Sequence, residues 1–189
     1  MAHIDFLDEA IEQVSAEVAE RLRPWQDAVE RLDGIPGVGR WTAEVILAEV
    51  GTDMTRFPTA GHLASWAGMC PGNNESAGKR RSGKTRKGSP WLRAALTEAA
   101  QAAGRKRDSY LAAQYRRLMT RRGKKKAVVA VGHTILEIVH HLLARGTTYQ
   151  DLGGRYFDER DRQAVERRLV KRLEGLGYKV SLEHATPAA

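Results

Sequence analysis

The chain has 189 residues, enough for one well-filled core with an appendage. Lys and Arg number 31 against 23 Asp and Glu, a formal net charge of +8, which disfavours a cationic partner and favours a polyanionic one. The lone cysteine, Cys70, excludes an internal disulfide and a cysteine-built zinc site.

In chain order, Ile4, Leu7, Ile11, Val14, Val18, Leu22, Trp25, Val29 and Leu32 recur every three or four residues, which predicts a helix close to a heptad repeat. Pro24 lacks an N–H and clashes with the preceding turn, so a break is expected near Arg23. The apolar seam needs a partner. Self-association as a coiled coil, giving a homo-oligomer, is preferred to an intramolecular hairpin. The opening MAHIDFLDEA carries acids where the basic region of a secretory signal would stand. No apolar run is read as membrane-spanning, so a cytoplasmic protein with no membrane partner is expected.

Residues 32–51 read LDGIPGVGRWTAEVILAEVG, a tight turn at 36–39 followed by a helix over 41–50 that Gly51 ends. The pattern resembles the helix-hairpin-helix motif of DNA-repair and recombination proteins. There, glycines let backbone N–H groups at the second helix's start approach a phosphate unobstructed. Gly37, Gly39 and Arg40 are the candidate contacts; the alternative is an ordinary helical corner whose glycines serve packing.

A short helix over 60–67 is expected to turn Leu63 and Trp66 inward, and a basic loop follows over 69–88. Ser89-Pro90 is a helix start, with Ser as cap and Pro in the first turn. Asp108 is the expected cap of the next helix, which stops at Gly123; another spans 125–145, and a last amphipathic helix spans 158–176. Alternating β-branched runs are absent, so the fold class is all-α. The organisation is a linker helix over 1–33, a body over 34–150, and a carboxy-terminal helix and tail over 151–189.

Charge is concentrated. Residues 79–126 hold 17 Lys and Arg against Glu98 and Asp108 alone, a net of +15, which leaves the flanks together at −7. A focused block of this kind is the footprint expected for nucleic acid.

Several chemistries can be set aside. His133, Glu137 and His141 share a helix face, but on an apolar helix with no further ligands they read as a polar stripe, so no metal site is assigned. No G-x-x-x-x-G-K-[ST] occurs, so nucleotide hydrolysis is unsupported. Neither the His-x-His spacing of a replication-type nuclease nor the Arg…His-x-x-Arg…Tyr order of a tyrosine recombinase is present.

That leaves PGNNESAGKRRSGKTRKGSPWLR, residues 71–93. It has too little apolar surface to offset the entropy of ordering it in a core. A solvated linker, a phosphate clamp, and a clamp containing a nucleophile all fit the composition. From spacing alone, Ser76 is a turn residue following Asn73-Asn74.

The segment FPTAGHLASWAGMCPGNNESAGKRRSGKTRKGSPWLRAALTEAA resembles the carboxy-terminal domain of an insertion-sequence transposase family. The likeness extends over the heptad segment, the turn at 36–39, the P-x(4)-S-A-G-K core and AVVAVGHTILEIVHHLLARGTTY. In that family a RuvC-like domain with an acidic quartet is joined by a coiled-coil linker to a serine-bearing domain. Its members are recombinases guided by a bridge RNA.

The resemblance implies DNA as partner, a guide RNA beside it, and a serine nucleophile that falls on Ser76. It also implies Mg²⁺ held by the RuvC-like domain, with no cofactor from the present residues. That domain has no counterpart in the sequence, so a truncated product is expected, needing a RuvC-like partner for strand exchange. The alternative is a catalytically inactive nucleic-acid-binding module. Lys79, Arg80, Arg81, Lys84, Arg86, Lys87 and Arg93 are the candidate phosphate contacts; Ser82 and Ser89 are the competing serines.

Overall fold

The computed structural model describes residues 2–72 and 74–183. Helix α1 (Ala2–Leu22) and α2 (Gln26–Asp33) are separated by a 3-10 turn, Arg23–Trp25, that contains Pro24. The break expected from proline is present. On α1 the seam residues Ile4, Leu7, Ile11 and Val14 are exposed, whereas α2 buries Ala28, Val29 and Leu32. Packing into the body therefore begins with α2, ahead of residue 34.

The core is built by α3 (Arg40–Val50), α4 (Ala60–Trp66), α5 (Pro90–Arg105), α6 (Tyr110–Arg122) and α7 (Lys124–Arg145). The fold class is all-α. Helix α7 runs through the middle, with Val131, Ile135, Leu136 and Val139 fully buried. It is apolar and long enough to cross a membrane by composition alone, contrary to the reading that no run qualifies. Half of that stretch is buried inside the bundle, so the core accounts for its apolar character.

Two contacts set the direction of α4 against α7. His140 Nε2 lies 2.9 Å from the Phe57 carbonyl oxygen, and a Cβ at Gly132 would come within 2.6 Å of Met69 Cε. The chain thus runs antiparallel to α7 between residues 57 and 69. Past Met69 it leaves the body near the amino-terminal half of α7.

Local signals placed most helix ends correctly. Ser89 Oγ accepts from the Leu92 N–H at 3.3 Å, and α6 and α7 are separated by Gly123. Two ends differ from expectation. The cap of α6 is Ser109, whose Oγ accepts from Ala112 N–H at 3.2 Å; Asp108 lies one residue outside, at φ 50°. The last helix is two helices, α8 (Tyr156–Arg160) and α9 (Arg162–Glu174), broken at Asp161. Phe157 stacks on Tyr110 at 5.2 Å, which ties α8 to α6. Trp66 faces outward, 47% exposed, against the inward orientation expected for it.

The main departure is at 69–88. An antiparallel hairpin, β1 (Asn74–Ser76) and β2 (Lys79–Ser82), stands where an irregular loop was expected. Strand periodicity is invisible here because the described strand residues Glu75, Ser76 and Lys79 are exposed rather than packed on a core. Backbone pairing and turn geometry specify it instead.

Candidate nucleic-acid interface

The ribbon's tip is a two-residue turn, Ala77-Gly78, with φ of 51° and 71°. Positive φ at both positions is the signature of a type I′ turn, whose twist matches that of paired strands. Ser76 therefore pairs directly with Lys79, and Glu75 with Arg80. Residues opposite each other share a face, so the Ser76 hydroxyl and the Lys79 stem are neighbours. Arg81 is the extra residue of a bulge, since Asn74 pairs with Ser82.

Below the strands the two arms stay joined. The Gly72 N–H donates to the Lys84 carbonyl oxygen at 3.0 Å, and Pro71 bridges to Thr85. At the neck, Gly68 and Gly88 touch backbone to backbone: a Cβ at Gly88 would lie 2.2 Å from the Ala67 carbonyl oxygen. A Cβ at Gly72 would lie 2.5 Å from the Lys84 carbonyl oxygen. Only glycine allows these approaches. Cys70, half-buried at the neck, is pushed up in pKa by its burial and secondarily by Glu137, so the thiol stays protonated.

Arg93 belongs to this neck. Its guanidinium donates to the Gly68 carbonyl oxygen at 3.2 Å and to Thr85 Oγ1 at 2.8 Å. The guanidinium expected at phosphate therefore also ties together the ribbon's base. Lys79, Lys84, Arg86 and Lys87 are exposed, and no carboxylate pairs with them among the described residues. The side chains of Arg80 and Arg81 lie outside the described part of the structure, as does residue Asn73.

The three serines separate by what their hydroxyls do. Ser82 Oγ accepts from the Lys84 N–H at 3.1 Å, and Ser89 Oγ caps α5. Ser76 is exposed and its hydroxyl makes no hydrogen bond among the described residues.

The turn at 36–39 splits its two glycines. Gly37, at φ +86°, sits against α5: a Cβ there would lie 2.3 Å from the Ala99 carbonyl oxygen and 2.5 Å from Ala103 N. Packing against α5 therefore requires glycine at this position. Gly39 is extended at the start of α3, and a Cβ there would meet nothing within 4 Å. Arg40 Nε donates to Glu44 Oε1 at 2.9 Å, so part of its charge is already compensated.

Among the described residues no three His, Cys, Asp or Glu side chains gather as a metal site. His133 Nδ1 lies 3.5 Å from Glu137 Oε2, as a pair on the polar stripe of α7.

Residues 29–116 match the model of the Transposase IS116/IS110/IS902 family. These residues correspond to a transposase domain of that family. It begins within α2, takes in the whole ribbon, and ends within α6. The chain is 32% identical over 151 residues to the transposase for insertion sequence element IS1111A of Coxiella burnetii, covering 76% of the chain and 40% of that relative. It is 30% identical over 139 residues to the putative transposase y4pF/y4sB of Sinorhizobium fredii, covering 71% of the chain and 36% of that protein. A 45-residue stretch is 56% identical to an IS110 insertion-element protein of Streptomyces coelicolor, over 24% of the chain and 11% of the relative. The chain thus spans well under half the length of these relatives.

Within the transposase domain, sequence reasoning missed the clamp of Arg93, Thr85 and Gly68. One signal was available: Gly68, Gly72 and Gly88 punctuate both arms of a basic segment, as backbones in close approach require.

Proposed function

We propose that this transposase domain acts on DNA during the strand exchange of an insertion sequence, with the ribbon as phosphate clamp and Ser76 as nucleophile. The pairing of Ser76 with Lys79 across the I′ turn carries the reading. It combines an exposed, uncommitted hydroxyl with an ammonium stem beside it, at the tip of a cationic arm anchored at its base. An ordered arm presents phosphate contacts at a lower entropic cost than a mobile loop would.

In the proposed step Ser76 Oγ attacks the phosphorus of a phosphodiester. The Oγ–P bond forms, the P–O bond to one strand end breaks, and that end departs as a hydroxyl. The phosphoserine ester stores the bond until another strand end reclaims it. Lys79, on the same face as Ser76, supplies a cation that meets charge growing on the non-bridging oxygens. The base that takes the serine's proton, the Mg²⁺-binding acids and a guide RNA all come from outside the described residues in this proposal. The exposed seam of α1 would bring copies together as a homo-oligomer.

The test is to trap the covalent intermediate. With this segment replacing its counterpart in a full-length relative, denaturing electrophoresis and peptide mass mapping should find DNA esterified to Ser76. Ser76→Ala should abolish the adduct and preserve binding. An adduct that survives Ser76→Ala would sink the nucleophile; an active chimera that forms none would leave a binding module only.

A further inference from the structure

We infer that Trp91 is a stacking platform for an unpaired base of single-stranded DNA whose phosphates the ribbon holds. The inference rests on the phosphate-clamp function proposed for the ribbon. Among the described residues Trp91 is the most exposed large apolar side chain, at 75%. The buried face of α5 is supplied by Leu92, Ala95, Leu96 and their successors, so the indole adds nothing to the core. Trp66, near the other arm of the neck, packs on Phe57 at 5.6 Å, whereas Trp91 stacks on no ring among the described residues.

The backbone that carries the indole is held in place. Pro90 and the Ser89 cap hold the first turn of α5, and Arg93 fastens that turn to both arms. Basic segments flank the indole's position in the chain and in the fold. Lys84, Arg86 and Lys87 lead into it, and the antiparallel course of residues 57–69 against α7 brings the neck toward the exposed Lys124, Lys125 and Lys126.

An apolar ring inside a cationic field suits one chemistry above others. A protein surface would need a wider apolar patch, and duplex bases are already stacked on one another. An unpaired nucleotide offers a π-face to the indole and a phosphate to the neighbouring cations.

The experiment measures affinity by fluorescence anisotropy for a single-stranded oligodeoxynucleotide and for the same oligomer made abasic, with its phosphates retained. Trp91→Ala should weaken binding to the first by about tenfold, the lower range for one lost stacked base, and leave the second unchanged. Trp91→Phe should keep most of the affinity, and the salt slope should not move in either variant. Unchanged binding of the intact oligomer, or an equal loss on the abasic one, overturns the platform. A loss on the matching RNA but not on DNA overturns the assignment to DNA. The clamp is tested separately by replacing Lys84, Arg86 and Lys87 with Gln. A flattened salt slope there, beside an inert Trp91→Ala, would retain the clamp and remove the platform.

Discussion

Arg93 donates to Thr85 Oγ1 at 2.8 Å, and the same guanidinium holds the Gly68 carbonyl oxygen at 3.2 Å. One side chain on the first turn of α5 thereby fastens both arms of a ribbon that has no apolar face of its own. The most basic part of the transposase domain is held to its core through a cation that sequence inspection assigns to DNA.

Replacing Arg93 by Met should cost about 1–3 kcal/mol of stability, the range for charge-assisted hydrogen bonds in partly buried surroundings. The Gly72 amide, which donates to Lys84 across the arms, should exchange faster with deuterium. Arg93→Lys should not restore its protection, because one ammonium cannot reproduce the guanidinium fork. Unaltered exchange at Gly72 would mean that the arms are held by their own pairing.

The two turn glycines should part company under substitution. Gly37→Val places a branched side chain at φ +86° against the backbone of α5, and a loss of more than about 3 kcal/mol is expected. Gly39→Ala meets open space and should shift stability by less than about 1 kcal/mol. Thermal unfolding of the pair decides it. A Gly37→Val protein as stable as the parent would refute the packing assignment.

Ser76→Ala should leave stability within about 0.5 kcal/mol, since the side chain is exposed and unbonded. Ser82→Ala removes the acceptor of the Lys84 N–H and should cost about 0.5–1.5 kcal/mol. In the full-length chimera the order reverses: only the first should abolish strand exchange. Recombination lost equally in both would indicate that ribbon integrity, rather than the Ser76 hydroxyl, is what matters.

Binding should weaken steeply with salt. Each ribbon cation that contacts phosphate contributes a slope of about 0.9 in log affinity against log salt on duplex DNA, and about 0.7 on single strands. Neutralising Lys84, Arg86 and Lys87 together should reduce the slope by up to about 3 on a duplex. An identical slope would place the footprint elsewhere, with the exposed run Arg121–Arg122 and Lys124–Lys126 as the next candidate.

Helix α1 should govern self-association. Ile11→Asp with Val14→Asp puts charges into the exposed seam and should shift sedimenting oligomers to monomers without loss of binding per chain. Oligomers that persist at the same concentration would move the contact off α1.

What the sequence determined by itself was whatever short-range chemistry controls. Pro24 broke the first helix, Ser89 and Pro90 opened α5, Gly51 and Gly123 ended their helices, and the 3.6-residue period announced the all-α core. These signals act within about four residues, so neighbours in the chain suffice to read them. The concentration of charge in residues 79–126 was equally legible, because charge adds without regard to fold. Tertiary structure alone decided what Gly37, Arg93 and the ribbon do. Gly37 is spent on α5, some 60 residues away; Arg93 reaches Gly68, 25 residues back; and Gly68 meets Gly88 across the neck. Each depends on backbones brought together by packing of the whole bundle, a long-range outcome that leaves little trace in the composition of the segment itself. Ser76 carries both kinds of information: its Ala77-Gly78 turn and pairing with Lys79 are local, but the anchoring of the arm that bears them is set by the closed neck.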